Sequence, residues 1–187
     1  VAGSTDVGLD VIGRAAQNPG PESVKTVLAG MGAKNAVIVD GDADLDLAVT
    51  EVDASAFHCS GQKCSAASRV IVLDPAYDDF TRRLAEATRS LRVGPAEEPG
   101  TRVGPLITAE ARERVEGLIA QGLREAKLGA TVEPPPGGWP GGGFYVAPHV
   151  FVDVPASAVI AREEAFGPVL AVLRAKYIDE APAMVNG

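Results

Sequence analysis

The amino-acid sequence predicts an α/β protein with a largely parallel sheet flanked by helices. Short apolar segments typical of buried strands alternate along the chain with segments of helical periodicity. Clusters of Gly, Pro, Asn and Asp separate these segments, as expected for turns between strands and helices. The 187 residues suffice for one domain, or for one domain and part of another.

The first third of the chain predicts a helix over residues 7–16 that stops at Asn18-Pro19-Gly20-Pro21. Short buried strands are predicted at 24–31 and 36–39. Asp42 is the predicted N-cap of a second helix, which runs through Leu45 towards Phe57.

The rest of the chain continues the alternation. A polar turn at 60–64 leads into a predicted strand at 69–73, and Pro75 suits the first turn of a helix carrying Phe80, Leu84, Ala87 and Leu91. Thr108 can cap a further helix through Leu123, and the Pro/Gly-rich segment 134–143 is a predicted surface loop. Later strands are predicted at 144–147, 150–154 and 168–173, and a last helix near Asp179.

Charge and composition narrow the range of partners. With 17 Lys and Arg against 25 Asp and Glu, the formal net charge is −8, which argues against nucleic acid and anionic membrane surfaces. No apolar run reaches the length of a membrane span, and the N-terminus does not resemble a signal peptide. Two cysteines cannot build a disulfide framework, so we expect a cytoplasmic location.

The segment Gly3-Ser4-Thr5-Asp6-Val7-Gly8 begins the first predicted helix. Small residues at a helix start expose backbone N–H groups, and the helix dipole favours an anion such as a phosphate there. Ser4 can add a hydroxyl donor. An ordinary serine-capped helix explains the same residues, and the pattern alone does not decide between the two.

The segment Gly61-Gln62-Lys63-Cys64-Ser65 contains a candidate nucleophile. A reactive cysteine needs a favoured thiolate and nearby backbone donors, and Lys63 supplies a neighbouring positive charge. A half-buried structural cysteine is the alternative. A Cys–His hydrolase pair with His149 is also conceivable. We expect no metal, because His58, Cys59, Cys64 and His149 lack the paired spacings of a zinc site.

The segment 162–168, Arg-Glu-Glu-Ala-Phe-Gly-Pro, places two carboxylates before a Gly-Pro turn. Taken alone, the pattern favours a solvated corner for Glu163 and Glu164, and hydrogen bonds to the adjacent hydroxyls of a ribose are the alternative.

These three motifs, in this order, resemble the aldehyde dehydrogenase superfamily: GSTDVG, then GQKCSAASR, then EEAFGPV. The intervening segments AKNAVIVDGDADLDLAV, VGPAEEPGTRVGPLIT and FYVAPHVFVDVP agree, so the resemblance covers essentially the whole chain. The run SAF, four residues, then QKCSAASRVIVL is most similar to the L-glutamate γ-semialdehyde dehydrogenase branch, which belongs to proline metabolism.

The resemblance implies a role for several residues. Cys64 would attack a small aldehyde, giving a thiohemiacetal, then a thioester that water hydrolyses to a carboxylic acid. The cofactor would be NAD, with NADP possible. Gly3 and Ser4 would lie at its pyrophosphate, Glu164 at its nicotinamide ribose and Phe166 near the nicotinamide. In this branch Lys63 and Ser65 would contact the substrate carboxylate.

The sequence departs from the family at the residue expected to activate water. The family motif is E-x-G-G-K, whereas this chain reads Gly30-Met31-Gly32-Ala33-Lys34. Gly30 stands in the position of the general-base glutamate and has no side chain. Three explanations stay open: impaired catalysis, substitution by another carboxylate or a bound water, or release of the thioester by coenzyme A.

The resemblance also implies that the chain is an interior piece of a longer protein. Residues 1–30 would be the C-terminal tail of a Rossmann-like dinucleotide-binding domain, and 31–187 most of the thiol-bearing catalytic domain. The full-length family member would be a homo-oligomer. We expect the 187-residue chain alone to be inactive. A non-enzymatic remnant of the family is the rival interpretation, which Gly30 favours and Cys64, Glu164 and Phe166 oppose.

Overall fold

The computed structural model describes residues 1–18, 20, 25–139 and 141–186. They divide into two compact units, Val1–Ala33 and Lys34–Gly187. The identification of the first unit with the tail of a cofactor domain stays a prediction.

The first unit contains the helix α1, Thr5–Gln17. Ser4 is its N-cap, and the Ser4 hydroxyl accepts a hydrogen bond from the Val7 N–H at 3.4 Å. The predicted helix is therefore confirmed, and so is the capping role of Ser4. Pro19 and Pro21, which belong to the predicted stop, lie outside the described residues.

The predicted strand over 24–31 is wrong in its described part, since residues 25–31 contain only an isolated bridge between Ala2 and Gly30. The Gly30 N–H donates to Val1 O at 2.8 Å, and the Gly3 N–H donates to Gly30 O at 3.0 Å. Leu28 is 81% exposed. An apolar run becomes a strand only where a second segment hydrogen-bonds to its backbone. Here that second segment is only residues 1–3, which is too short to form a ladder. Val24 lies outside the described residues.

The second unit is built on one sheet, in which the described residues form five strands in the order β1-β2-β5-β4-β3. The strands are β1 Ala36–Val39, β2 Arg69–Leu73, β3 Lys127–Thr131, β4 His149–Val152 and β5 Val169–Ala175. The pairs β1–β2, β2–β5 and β5–β4 are parallel, and β4–β3 is antiparallel. The prediction of a largely parallel sheet is confirmed.

Helices cover both faces of this sheet. They are α2 Leu45–Phe57, α3 Asp74–Arg89, α4 Ala109–Glu125, α5 Val159–Arg162 and α6 Glu180–Asn186. Thr108 caps α4 as predicted, accepting a hydrogen bond from the Ala111 N–H at 3.1 Å. The predicted cap of α2 is wrong by two residues: Asp44, not Asp42, accepts from the Asp46 and Leu47 N–H groups.

The core has two halves, one on each face of the sheet. Val70 and Val72 of β2 pack with α2 and α3, whereas Ile71 between them packs with α4 and α5. All five residues of β2 are buried. A parallel strand covered on both faces reads as a continuous apolar run, which explains why the sequence predicted β2 and β5 correctly.

Other local features of the second unit also differ from what the sequence predicts. The predicted strand at 144–147 is wrong: Phe144 makes a single bridge to Leu106, while Tyr145 and Val146 are buried without ladder pairing. The strand β3 was not predicted, because Gly129 and mostly partial exposure weaken its pattern. The helix α5 was not predicted either, since four residues carry no period.

Within the described residues no helix is long and apolar enough to cross a membrane.

Candidate active site

Residues 58–66, which form most of the loop between α2 and β2, carry Cys64 and are called the thiol loop below. It begins with a short 3₁₀ turn, His58–Gly61. Cys59, Ser60 and Gly61 have φ angles of 53°, 57° and 67°, all in the left-handed region. Left-handed backbone is costly for residues with a side chain, so the surrounding structure must hold this turn in place. Cys64 itself is exposed.

One side of the thiol loop is fixed to the segment 104–107. The Ser60 hydroxyl donates to Gly104 O at 2.9 Å. The Gln62 side chain accepts from the Ile107 N–H at 3.0 Å and donates to Pro105 O at 3.5 Å. These bonds orient Gln62 away from solvent and towards the backbone of its neighbour.

The other side of the thiol loop is fixed by Asn35, which the sequence analysis did not single out. The Asn35 side-chain amide donates to Cys64 O at 2.7 Å and to Ala66 O at 3.0 Å. A side chain that satisfies backbone groups of a distant loop leaves no periodic signal in the sequence. Its only hint is an Asn placed directly before the short apolar strand Ala36–Val39, of which only Val39 is buried.

The thiol loop and the turn after Phe166 touch each other. A Cβ built on Gly61 would lie 2.6 Å from the carbonyl carbon of Gly167 and closer still to its oxygen. Only glycine fits at such an approach. The structure thus brings together two of the three sequence motifs, although about one hundred residues separate them.

Within that second motif, Glu164 is half-buried and Phe166 is 38% exposed. Phe166 has a φ of 46°, which is unusual for an aromatic residue. Its ring therefore lies at the surface of the turn and not in the core. Lys63 is half-buried and Ser65 is exposed, each adjacent to Cys64.

A lysine with an altered pKa lies near these carboxylates. Burial lowers the pKa of Lys34 to about 8, and the positive charge of Arg69 acts in the same direction. The negative charges of Glu164 and Glu163 oppose that shift. Lys34 is thus electrostatically coupled to Glu164.

Arg69, the first residue of β2, is buried and joins three parts of the unit. Its guanidinium donates to Lys34 O at 2.8 Å, to Val185 O at 2.8 Å and to Met184 O at 3.0 Å. Burial lowers the pKa of Arg69. Arg69 thereby fixes the last turn of α6 beside the strand that follows the thiol loop.

The remaining predicted site residues lie in the first unit. Gly3 and Ser4 stand at the start of α1, and both residues are exposed. Gly30 pairs with Val1, and a Cβ built on it would meet nothing closer than Val1 O at 3.8 Å. Space for a side chain at position 30 is therefore sterically open within this unit.

His149 does not point to a Cys–His pair. Its Nδ1 lies 2.8 Å from Ala147 O, and its ring stacks on Phe151 with centroids 6.3 Å apart. Burial lowers the pKa of His149, against the opposing influence of Ala147 O and Glu133. His149 belongs to β4, which β5 separates from β2 in the sheet. Across the described ranges, no three His, Cys, Asp or Glu residues are grouped to hold a metal ion.

Comparison with known proteins agrees with this architecture. The model of the aldehyde dehydrogenase family matches residues 1–187. The 1-pyrroline-5-carboxylate dehydrogenase of Anoxybacillus flavithermus is 43% identical over 185 residues, which are 98% of this chain and 35% of that protein. The Bacillus subtilis protein of the same name is 40% identical with the same coverage. The chain thus spans about a third of the length of these curated relatives.

Solved structures give the same result. Proline utilization A from Bdellovibrio bacteriovorus, inactivated by N-propargylglycine, matches with a TM-score of 0.92 and 49% identity, over 100% of this chain and 19% of that one. A Thermus 1-pyrroline-5-carboxylate dehydrogenase with bound NAD matches with a TM-score of 0.82 and 40% identity, over 99% and 35%. From the matched model, these identities and the shared fold, the chain belongs to the aldehyde dehydrogenase family.

Proposed function

We propose that the full-length protein containing this chain oxidises L-glutamate γ-semialdehyde to glutamate with NAD, or with NADP. The observation that carries the proposal is the contact of the Cys64 loop with the turn of Glu164 and Phe166, at Gly61 and Gly167. The choice of substrate is supported by 40–43% identity to proteins named 1-pyrroline-5-carboxylate dehydrogenase.

In the proposed reaction the Cys64 thiolate adds to the aldehyde carbon, and the carbonyl oxygen becomes the oxyanion of a thiohemiacetal. NAD(P), when bound, supplies the acceptor for the hydride that leaves this carbon. The C=O bond re-forms and a thioester remains on Cys64. Attack by water on the thioester carbonyl then gives the carboxylic acid and frees the thiol.

The chain contains residues that fit both halves of the cofactor. The exposed N-terminus of α1, with Gly3 and Ser4, suits a pyrophosphate, because the helix dipole favours an anion at this end. The half-buried carboxylate of Glu164 suits the ribose hydroxyls, and the exposed ring of Phe166 suits the nicotinamide. The ammonium of Lys34 lies close enough to Glu164 for the negative charge of Glu164 to act on the pKa of Lys34.

Lys63 and Ser65 are the proposed contacts of the substrate carboxylate. They flank Cys64 directly, and a Lys ammonium with a Ser hydroxyl provides a charge-assisted hydrogen-bonding pair for a carboxylate. A semialdehyde carrying such a group would be held at the end opposite to its aldehyde.

Gly30 favours a second candidate, an enzyme that releases its thioester slowly. Without the glutamate side chain no general base stands at that position, and general-base loss typically costs about 10²–10⁴-fold. A thiol acceptor such as coenzyme A would bypass the need for this base. We rank impairment ahead of the acylating enzyme, because no other feature of the sequence points to coenzyme A.

The experiment that tests the proposal uses the full-length protein with glutamate semialdehyde and NAD. We expect NADH formation that Cys64→Ala abolishes and that Cys59→Ala leaves intact. Repeating the assay with NADP and with coenzyme A separates the cofactor and acceptor alternatives. If the wild-type protein forms neither NADH from NAD nor NADPH from NADP, with or without coenzyme A, the proposed activity is refuted and the remnant is favoured.

The resemblance further supports a homo-oligomeric full-length protein, and the composition a cytoplasmic one. Analytical ultracentrifugation of the full-length protein would test the first, and fractionation of cells producing it the second.

A further inference from the structure

Asn35 occupies a central position in the hydrogen bonding around the thiol loop. Its side-chain amide donates both protons, one to Cys64 O at 2.7 Å and one to Ala66 O at 3.0 Å. Both carbonyls belong to a tight turn over residues 63–66, which is closed by a hydrogen bond from the Ala66 N–H to Lys63 O at 3.1 Å. One side chain therefore ties down the reacting residue and the turn that follows it.

Asn35 is itself held firmly. Its backbone carbonyl accepts from the Ser68 and Arg69 N–H groups, each at 3.1 Å, and from the Ser68 hydroxyl at 3.2 Å. The next residue, Ala36, begins β1, which pairs in parallel with β2. The Asn35 side chain thus extends from the residue directly before an edge strand. Its position is therefore set by the sheet and not by the thiol loop.

Both amide protons point to main-chain oxygens, and Asn35 makes no hydrogen bond to a side chain of the loop in the part of the chain that is described. An arrangement of this kind fixes where the backbone of Cys64 lies. It leaves the thiol free to react and the neighbouring side chains free to contact substrate.

The geometry points to Asn35 as the positioning residue of the catalytic thiol: its two hydrogen bonds hold the Cys64 backbone in the orientation from which the sulfur attacks the aldehyde. This inference rests on the proposed function for its kinetic consequence only. Small misplacements of a reacting group are costly, since a shift of about 1 Å can reduce the rate about 100-fold.

The test compares three variants of the full-length enzyme. Asn35→Ala removes both donors. Asn35→Asp keeps the size and shape of the side chain but places a carboxylate opposite two carbonyl oxygens. Ser68→Ala is the matched control, because it removes a hydrogen bond to the same residue without touching the amide, and the backbone bonds to Asn35 O remain.

The readout is the pre-steady-state burst of NADH, normalised to the number of Cys64 side chains that iodoacetamide can alkylate. We expect both Asn35 variants to slow the burst by about 10- to 100-fold, with KM changed by less than about 3-fold, because Asn35 does not bind substrate. Ser68→Ala should stay within about 2-fold of the wild type. A burst of wild-type rate in Asn35→Asp would reduce Asn35 to a packing role and overturn the inference, as would equal slowing in all three variants.

A second measurement does not require activity. Hydrogen exchange of the peptide spanning residues 62–68 should accelerate by at least about 3-fold at the Ala66 amide in both Asn35 variants and not in Ser68→Ala. Unchanged exchange in Asn35→Ala overturns the positioning role even if the enzyme is active. Accelerated exchange in a protein that forms no NADH would support the positioning of the Cys64 backbone by Asn35, while refuting the proposed function.

Discussion

Gly61 and Gly167 are in backbone contact, and this contact joins the thiol loop to the turn that carries Glu164 and Phe166. A methyl group on Gly61 would overlap the Gly167 carbonyl, and the φ of Gly61 is 67°. We therefore expect Gly61→Ala to lower the free energy of unfolding by at least about 2 kcal/mol, since a left-handed φ and a steric overlap both oppose it.

Chemical denaturation of the variant measures that loss. Gly117→Ala is the control, because Gly117 lies exposed in α4 with nothing within 4 Å of a built Cβ. Replacing a helical glycine by alanine should stabilise by up to about 1 kcal/mol. Equal stability changes in the two variants would show that the Gly61 contact is unimportant.

Gly30→Glu should accelerate release of the thioester in the full-length enzyme. The first unit leaves room for the side chain, and a restored general base is expected to speed hydrolysis by about 10²–10⁴-fold. The NADH rate after the burst measures this step. Gly30→Gln, of equal size but not basic, is the control. If Glu is no faster than Gln, the missing base is not what limits turnover.

Cys64 should react with iodoacetamide faster than Cys59 near neutral pH. Both thiols are exposed, so access alone does not favour either. A selectivity of at least about 10-fold for Cys64, measured by mass spectrometry of the two sites in the full-length enzyme, would indicate an activated nucleophile. Slow and equal labelling of both cysteines is the pattern expected of a non-catalytic remnant.

The 187-residue chain on its own should form no NADH from aldehyde and NAD, because it spans only about a third of its relatives. A fluorescence assay at high protein concentration tests this, with the full-length protein as the positive control. Nicotinamide reduction by the short chain that disappears in Cys64→Ala would contradict the expectation.

Lys34 makes the free energy of unfolding depend on pH in the alkaline range. Its pKa is lowered from 10.5 to about 8 in the folded chain, so between these values the unfolded state binds more protons. Deprotonation at rising pH therefore favours folding. We expect the free energy of unfolding to rise by about 1 kcal/mol from pH 8 to pH 9, relative to Lys34→Met, which has no proton to lose.

Urea unfolding of both proteins at the two pH values gives this difference directly. Other groups titrate in the same range, but they are common to both proteins and cancel. A difference of zero, or one that favours Lys34→Met at higher pH, would show that Lys34 keeps its ordinary pKa.

The sequence was informative where burial decides structure. Strands such as β2 and β5 lie between two layers of helices, so their apolar runs are unmistakable. Tyr145 and Val146, in the run at 144–147, are buried too, yet they pair with no ladder, because apolar content reports burial and not hydrogen bonding. Edge strand β3 shows the converse: it pairs with β4, yet only Ala130 of its five residues is buried, so its apolar pattern is weak.

Candidate site residues were found through the order of the motifs, and not through any one of them. Cys64 by itself was open to a structural interpretation, and its role stays a prediction. The sequence did not predict the hydrogen bonds that hold the backbone around Cys64. The Asn35 side chain donates to backbone oxygens whose positions depend on the pairing of β1 with β2, and no local pattern in the sequence predicts that pairing.

The hydrogen bonds that hold the thiol loop end on main-chain atoms at Cys64, Ala66, Gly104, Pro105 and Ile107. Such a scaffold is indifferent to the side chains at 63 and 65, which flank the thiol and are not needed to hold it. If Lys63 and Ser65 contact substrate as proposed above, substrate preference can diverge in evolution, or be redesigned in a library randomised at those two positions, while the Cys64 sulfur keeps its place.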